Sequence, residues 1–260
     1  MKSSRSFNWT VCAAALATYA LLSPIAMAQP VAPTPPEPLS WNGDPAAPDF
    51  SGVWVRADDQ GKAVSASPEG WRPWPPQLKG PFAATWKTRV AEAAAGKRAD
   101  DPIVGCLPPG MPRFITGDKS PLLIIQNRGR VTEYRDGEGP RRIWLDGRSF
   151  PAQGDVEVFP KGTSIGRYDG QDMVIDTIGV RDQPIDSTGV PHSDQLKITE
   201  RYHRSDAKTL KVQVTLNDPA AYGRPMTTTV IYTLLNDPQW EPHEVICKPK
   251  TDFHGEHFVH

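Results

Sequence analysis

The segment SIGRYDGQDMVIDTI, residues 164–178, contains the pattern on which the fold prediction rests. Polar and apolar residues alternate on both sides of Asp169-Gly170, and alternation with period two is typical of a half-buried β-strand. An Asp-Gly dipeptide suits the positive φ angles of a tight hairpin turn. The segment therefore predicts two antiparallel strands, over residues 164–168 and 173–178.

The same alternation recurs on both sides of this hairpin. Further strands are predicted, with turn residues between them, over residues 53–56, 122–127, 131–135, 142–146, 195–203, 210–216 and 227–235. Successive hairpins close a sheet without long crossovers, and closure removes exposed edges. We therefore predict a mainly β fold: an antiparallel barrel or a strongly curled sheet. The triplet Gly52-Val53-Trp54 of the first strand resembles the entry strand of lipocalin-like barrels, which implies a lipocalin-like form of the barrel. Phe82, Trp86 and Val90 recur every four residues and predict one packing helix near residues 82–95.

The N-terminus has the layout of a cleavable export signal. Lys2 and Arg5 precede an apolar stretch over residues 11–22, and the small-residue pattern Ala26-Met27-Ala28 follows. The apolar stretch is shorter than the roughly 20 residues of a membrane-spanning helix. We expect cleavage after residue 28, and hence a periplasmic or secreted protein.

The rest of the chain divides by composition. Prolines concentrate in residues 29–47, which favours an extended tether. Residues 48–250 are predicted to form the barrel domain, and residues 251–260 a C-terminal tail. The formal net charge is −1, with no block of like charge, so neither nucleic acid nor an anionic membrane surface is expected as a partner. We expect no integral membrane segment after signal cleavage.

Two cysteines, Cys106 and Cys247, remain after the signal is removed. An even number of cysteines in an oxidising compartment predicts a disulfide between them. Two separate buried thiols are the alternative. No cysteine or histidine has a short-range partner with metal-ligand spacing apart from the histidines of the tail, so no metal site is predicted.

Several common motifs are missing from the sequence. It has no glycine-rich phosphate loop, no Gly-x-Ser-x-Gly, no His-Glu-x-x-His and no Cys-x-x-Cys. Nucleotide cofactors and the commonest hydrolase designs thereby lose their support, and we predict no cofactor.

Carboxylates among apolar residues are the first candidate site. Glu200 alternates in phase with Ile198 and Tyr202, and Asp176 alternates in phase with Val174 and Ile178. An inward carboxylate must be paired, hydrogen-bonded or protonated, because burying an unpaired charge is costly. Two interpretations stay open. The carboxylates divide acid and base roles, or they are held for structural reasons by tyrosine hydroxyls or by an arginine such as Arg141, Arg167 or Arg201.

The loop GVPHSD, residues 189–194, is the second candidate site. His192 suits proton transfer near neutral pH, and Asp194 is a nearby carboxylate that could orient it. In the alternative interpretation, Ser193 and Asp194 cap a turn while His192 only donates or accepts a hydrogen bond at the barrel rim.

Six blocks of the chain carry a family resemblance: DFSGVW (49–54), CLPPGMPR (106–113), RIWLDGR (142–148), GRYDGQDMVIDT (166–177), PHSDQLKITER (191–201) and NDP (217–219). The chain resembles a large group of exported bacterial proteins in which these blocks occur in this order and for which there is no settled common activity. The resemblance implies that the first cysteine block pairs with Cys247. It singles out Asp146, Arg148, Asp176, His192, Glu200 and Arg201. The group commonly has tryptophan where this chain has Tyr168, in the wall of any pocket.

Together these patterns predict an exported enzyme that performs cofactor-independent acid–base chemistry, of lyase, isomerase or hydrolase type, on a small, partly apolar substrate. The predicted catalytic residues are His192, Glu200, Asp176 and Arg201. The predicted substrate-binding residues are Asp146, Arg148, Tyr168, Asp194 and Tyr202. One alternative is a non-catalytic extracytoplasmic carrier of lipocalin type, and another is an envelope interaction domain with a filled barrel.

Overall fold

The structure is a computed structural model, and it describes residues 43–58, 62, 77–97, 101–117 and 120–245. The predicted signal peptide, most of the proline-rich tether, Cys247 and the C-terminal tail lie outside these residues. The disulfide between Cys106 and Cys247 therefore stays a prediction.

The described part of the chain forms a closed barrel of nine strands in sequence order. The strands are β1 (Gly52–Ala57), β2 (Leu122–Asn127), β3 (Arg130–Tyr134), β4 (Arg141–Trp144), β5 (Thr163–Asp169), β6 (Asp172–Ile178), β7 (Lys197–Arg204), β8 (Thr209–Asn217) and β9 (Met226–Leu234). The predicted mainly β barrel is confirmed. Each predicted strand is present, with ends that differ by at most two residues.

One pair of neighbouring strands departs from the antiparallel pattern. Strands β4 and β5 are parallel, with Ile143 beside Ser164 and Trp144 beside Ile165. The residues between these strands, 145–162, return along the barrel instead of forming a hairpin, and Phe159 makes a bridge to Val180 on the way. All other neighbouring pairs, including the closing pair β1–β9, are antiparallel.

The strand directions give the barrel two different ends. The first, which we call the helical end, carries the connections β1–β2, β3–β4, β6–β7 and β8–β9. The second, which we call the hairpin end, carries the turns β2–β3, β5–β6 and β7–β8 and the residues that precede β1.

Two helices lie in the β1–β2 connection. Helix α1 (Gly80–Ala94) begins with Pro81 in its first turn. Its Phe82 and Trp86 pack against the core, and the Trp86 indole donates to the hydroxyl of Thr188 at 3.2 Å. The prediction of a packing helix is confirmed. The short helix α2 spans Arg113–Thr116, and all four of its residues are buried.

The segment around α2 closes the helical end. Met111, Phe114 and Ile115 have no exposed surface. Arg56, from β1, donates to the carbonyl oxygens of Ile115 and Thr116 at 3.2 and 2.9 Å, and the Tyr232 hydroxyl also donates to the Ile115 carbonyl at 2.7 Å. Within the described ranges, no helix has both the length and the apolar composition needed to cross a membrane.

Candidate functional site

Four polar residues meet inside the barrel, and we call them the interior cluster: Glu133 on β3, Arg141 on β4, and Glu200 and Tyr202 on β7. Glu133, Glu200 and Tyr202 have no exposed surface, and Arg141 is 2 % exposed. Glu133 and Arg141 are direct neighbours across β3 and β4. Strand alternation places all four on inward faces, as the sequence predicted for Glu200 and Tyr202.

Hydrogen bonds connect the interior cluster completely. Arg141 Nη1 donates to Glu133 Oε2 at 3.0 Å and to Glu200 Oε1 at 3.1 Å, and Arg141 Nη2 donates to Glu200 Oε2. The Tyr202 hydroxyl donates to Glu133 Oε1 at 2.6 Å. Each oxygen of the two carboxylates therefore has a donor from the protein.

Two hydroxyl groups complete the surroundings of Arg141. Its Nη2 donates to Thr177 Oγ1 at 3.0 Å and to Ser164 Oγ at 3.2 Å. These two hydroxyl oxygens lie 2.9 Å apart across β5 and β6. The guanidinium is thus held by side chains from four strands, which fixes its position in the barrel.

The electrostatics of the cluster follow from having two carboxylates beside one guanidinium. Burial raises the pKa of Glu200, and the charge of Arg141 opposes this effect only in part. Burial works against the charge of Arg141, but Glu200 and Glu133 outweigh it, so the pKa of Arg141 rises. Burial, followed by the charge of Glu133, raises the pKa of Tyr202 well above its usual value. Arg141 thus stays charged, Tyr202 keeps its proton, and Glu200 retains a proton more readily than an exposed carboxyl does.

Asp176 and Arg201 lie on the outside of the barrel, which corrects the prediction that Asp176 faces inward. Asp176 accepts from Thr199 Oγ1 at 2.7 Å and forms ion pairs with Arg167 and Lys197, each at 3.2 Å. Its pKa is lowered because these partners outweigh its partial burial. The apolar residues on its face were misleading: Val174 also lies on the outer face, yet it is only 2 % exposed.

Arg201 belongs to a second outer group, which we call the outer cluster: Asp169, Asp172, Arg201 and His203. Arg201 donates to Asp169 at 2.7 Å and to Asp172 at 2.6 Å. The other oxygen of Asp172 lies 2.6 Å from His203 Nδ1. The Arg201 side chain therefore faces away from the interior cluster, although its chain neighbours Glu200 and Tyr202 belong to that cluster.

His192 lies in the β6–β7 loop at the helical end and is 4 % exposed. Its Nδ1 is 2.7 Å from the carbonyl oxygen of Ser193, and its Nε2 is 3.0 Å from that of Arg181. Asp194, the predicted orienting carboxylate, is exposed. Both ring nitrogens thus face backbone carbonyl oxygens, which matches the alternative in which His192 serves as a hydrogen-bonding residue at the rim.

Asp218 is a buried residue that the sequence interpretation missed. It accepts from the Ser193 amide at 2.6 Å and from the Ser193 hydroxyl at 2.7 Å, and also from the amides of Ala220 and Ala221. It therefore ties the His192 loop to the β8–β9 connection. Its block, NDP at 217–219, was visible in the sequence, but a long-range bond to Ser193 leaves no local pattern.

The other predicted binding residues lie apart from His192, towards the hairpin end. Arg148 stacks on the Trp144 ring, 3.8 Å from its centroid, and donates to both oxygens of Asp146. This contact lowers the pKa of Asp146. Tyr168 accepts from Gln126 Nε2 at 2.9 Å, and burial together with the charge of Asp44 raises its pKa to about 12. Both oxygens of Asp146 are engaged by Arg148, and the Tyr168 hydroxyl by Gln126.

Sequence reasoning also missed Glu133, although Val131, Glu133 and Arg135 alternate as Ile198, Glu200 and Tyr202 do. Arg141 is one of the arginines that the sequence offers as a partner for Glu200, and it does hold Glu200.

Among the residues that the structure describes, no group of three or more His, Cys, Asp or Glu side chains is placed to hold a metal ion. No family model, no curated protein and no solved structure matches the chain.

Proposed function

We propose that this protein is an exported barrel that binds a small, partly apolar molecule without converting it. The observation that carries the proposal is the occupancy of the interior cluster, in which Arg141 and Tyr202 donate to every oxygen of Glu133 and Glu200. A general base needs an oxygen within hydrogen-bond reach of the substrate proton. Occupied oxygens support a role in shaping and holding a binding site over a role in proton transfer.

The positions of the other predicted catalytic residues support the same choice. On the outer surface, Asp176 forms an ion pair with Arg167, and Arg201 forms one with Asp172. Both nitrogens of His192 face backbone carbonyl oxygens. Acid–base catalysis needs its groups around one reacting atom. A carrier needs no such convergence, because a closed barrel of about this size can hold one small ligand without reacting groups.

Acid–base catalysis is the second candidate, and one observation favours it. The cluster has two carboxylates for one guanidinium, and burial raises the pKa of Glu200. A carboxyl group that keeps its proton near neutral pH suits a general acid. In this candidate a bound substrate takes the place of Arg141 at one oxygen of Glu200 and receives the Glu200 proton, which leaves a carboxylate that pairs again with Arg141, in a reaction of lyase, isomerase or hydrolase type.

Titration with N-phenyl-1-naphthylamine, a neutral aromatic dye that fluoresces in apolar surroundings, tests the binding function. We expect saturable binding of one dye molecule per chain. The matched variants are Glu200→Gln, inside the barrel, and Asp176→Asn, outside it. Glu200→Gln should change the dye affinity and Asp176→Asn should leave it unchanged. Equal affinities in both variants would place the dye away from the interior cluster, and no saturable binding would contradict the proposal.

A conversion assay separates the carrier from the enzyme. The wild-type protein, Glu200→Gln and His192→Ala are each incubated with the same extract of bacterial envelope small molecules, and bound and free compounds are identified by mass spectrometry. A carrier returns the same unchanged compound from all three proteins. An enzyme depletes a compound that Glu200→Gln only binds, and releases a new product of related mass.

A further inference from the structure

Phe50 closes the hairpin end of the barrel, although it belongs to no strand. It precedes β1, which begins at Gly52, and it has no exposed surface. Its ring stands edge-on to the Tyr202 ring, with centroids 6.3 Å apart. Because Tyr202 is a member of the interior cluster, the Phe50 ring contacts that cluster directly.

Side chains hold the backbone around Phe50. Gln126 accepts from the Phe50 amide at 2.9 Å and donates to the Pro48 carbonyl at 2.7 Å. The Trp54 indole donates to the Phe50 carbonyl at 3.0 Å, and Arg204 donates to the Asp49 carbonyl at 2.7 Å. The barrel thus binds residues 48–50 through a buried ring and a side-chain amide that pairs with backbone polar groups, as a protein binds a short peptide.

We propose that this mouth is the ligand-binding site and that Phe50 occupies it as an internal ligand when the protein is empty. The ligand class follows from what this segment contributes: a flat apolar ring beside Tyr202, the Phe50 N–H that donates to Gln126, and the Pro48 carbonyl that accepts from Gln126. Short peptides with an aromatic residue have this chemistry. The inference rests on the proposed binding function and adds to it the site and the ligand class.

Competition between Phe50 and the ligand has a measurable consequence. A site that is open in only a fraction of the molecules binds with an affinity reduced by that fraction. Removing the Phe50 ring should therefore strengthen binding of an external aromatic molecule, by about tenfold or more. The Phe50 segment joins the barrel wall at Gly52, which has a φ of +138° at the start of β1.

Dye titrations of full-length variants test this inference. Phe50→Ala opens the hairpin end, and Phe114→Ala is the matched control, because Phe114 is also fully buried but closes the helical end. We expect N-phenyl-1-naphthylamine to bind Phe50→Ala at least about tenfold more tightly than wild type, and Phe114→Ala with wild-type affinity. Gln126→Leu removes the backbone contacts but keeps the ring, so it should also tighten binding, by a smaller factor. It serves as the test if Phe50→Ala does not fold.

A peptide supplied in trans identifies the site directly. The blocked peptide acetyl-Pro-Asp-Phe-Ser-amide, which copies residues 48–51, should displace the dye from Phe50→Ala, and the same peptide with alanine in place of phenylalanine should not. Dye binding that is the same in wild type, Phe50→Ala and Gln126→Leu, or that neither peptide displaces, would overturn the inference and leave the binding function standing. No saturable dye binding in any of the proteins would overturn both.

Discussion

The interior cluster and the outer cluster share strand β7, where their residues alternate along the chain. Glu200 and Tyr202 face inward on β7, whereas Arg201 and His203 face outward. Both clusters contain two carboxylates and an arginine, with contacts of similar length. They differ in exposure: Glu200 has no exposed surface, but the side chains of Arg201 and His203 are 41 % and 52 % exposed. Water screens the outer charges, so the same contacts differ in energetic weight.

The largest effect is expected from removing the arginine of the interior cluster. Arg141→Met leaves Glu133 and Glu200 buried beside each other without a positive charge. Removal of one partner from a buried ion pair costs about 3–5 kcal/mol. Arg201→Met, the matched outer variant, should cost less than about 1 kcal/mol because its carboxylates remain solvated. Urea unfolding of both variants measures the difference.

Similar unfolding free energies for these two variants would show that the interior cluster is hydrated in solution. Arg141→Lys adds a second measurement. Lysine keeps the charge but lacks the planar fork that reaches Glu133, Glu200, Ser164 and Thr177 together. Arg141→Lys should therefore fall between wild type and Arg141→Met.

The same comparison explains how much of this molecule the sequence predicts. Strand alternation placed Glu200 and Tyr202 inside correctly, because every second residue of β7 faces the core. It failed for Asp176, where the buried Val174 imitates an inward position on the outer face. It also gave no warning of the parallel pair β4–β5, since strand direction is set by the irregular residues 145–162.

The contacts of His192 and Phe50 were beyond local patterns for another reason. The Nε2 of His192 faces the carbonyl of Arg181, and the segment around Phe50 is held by Gln126, a residue far along the chain. Backbone carbonyl oxygens are present at every residue and carry no sequence signal. A sequence can therefore present candidate side chains, but tertiary packing determines which of them remain available for chemistry.

The next prediction concerns pH: as the pH changes, the two clusters should shift the free energy of unfolding in opposite directions. The pKa of Glu200 is raised above 4.5 in the folded protein, so the folded state holds this proton more tightly than the unfolded chain does. The stability it contributes is complete below the unfolded pKa and is lost as the pH rises through the folded pKa. Glu200→Gln cannot ionise and should lose less stability than wild type over that rise. Unfolding free energies measured from pH 4 to pH 8 test this, and parallel curves would contradict it.

The smallest effect is expected in the outer cluster, from Asp172→Asn. The hydrogen bonds from Arg201 and His203 outweigh partial burial and lower the pKa of Asp172 below 3.8. Its stabilisation is therefore present above the unfolded pKa and is lost as the pH falls through the folded pKa, the reverse of Glu200.

At neutral pH we expect Asp172→Asn to lower the free energy of unfolding by less than about 1 kcal/mol. The cost should shrink further in 1 M salt, where the screening length is only about 3 Å. The cost of Arg141→Met should be nearly unchanged by salt, because buried pairs are screened much less. Equal salt sensitivity in the two variants would mean that solvent reaches both clusters alike, and the distinction between them would then be wrong.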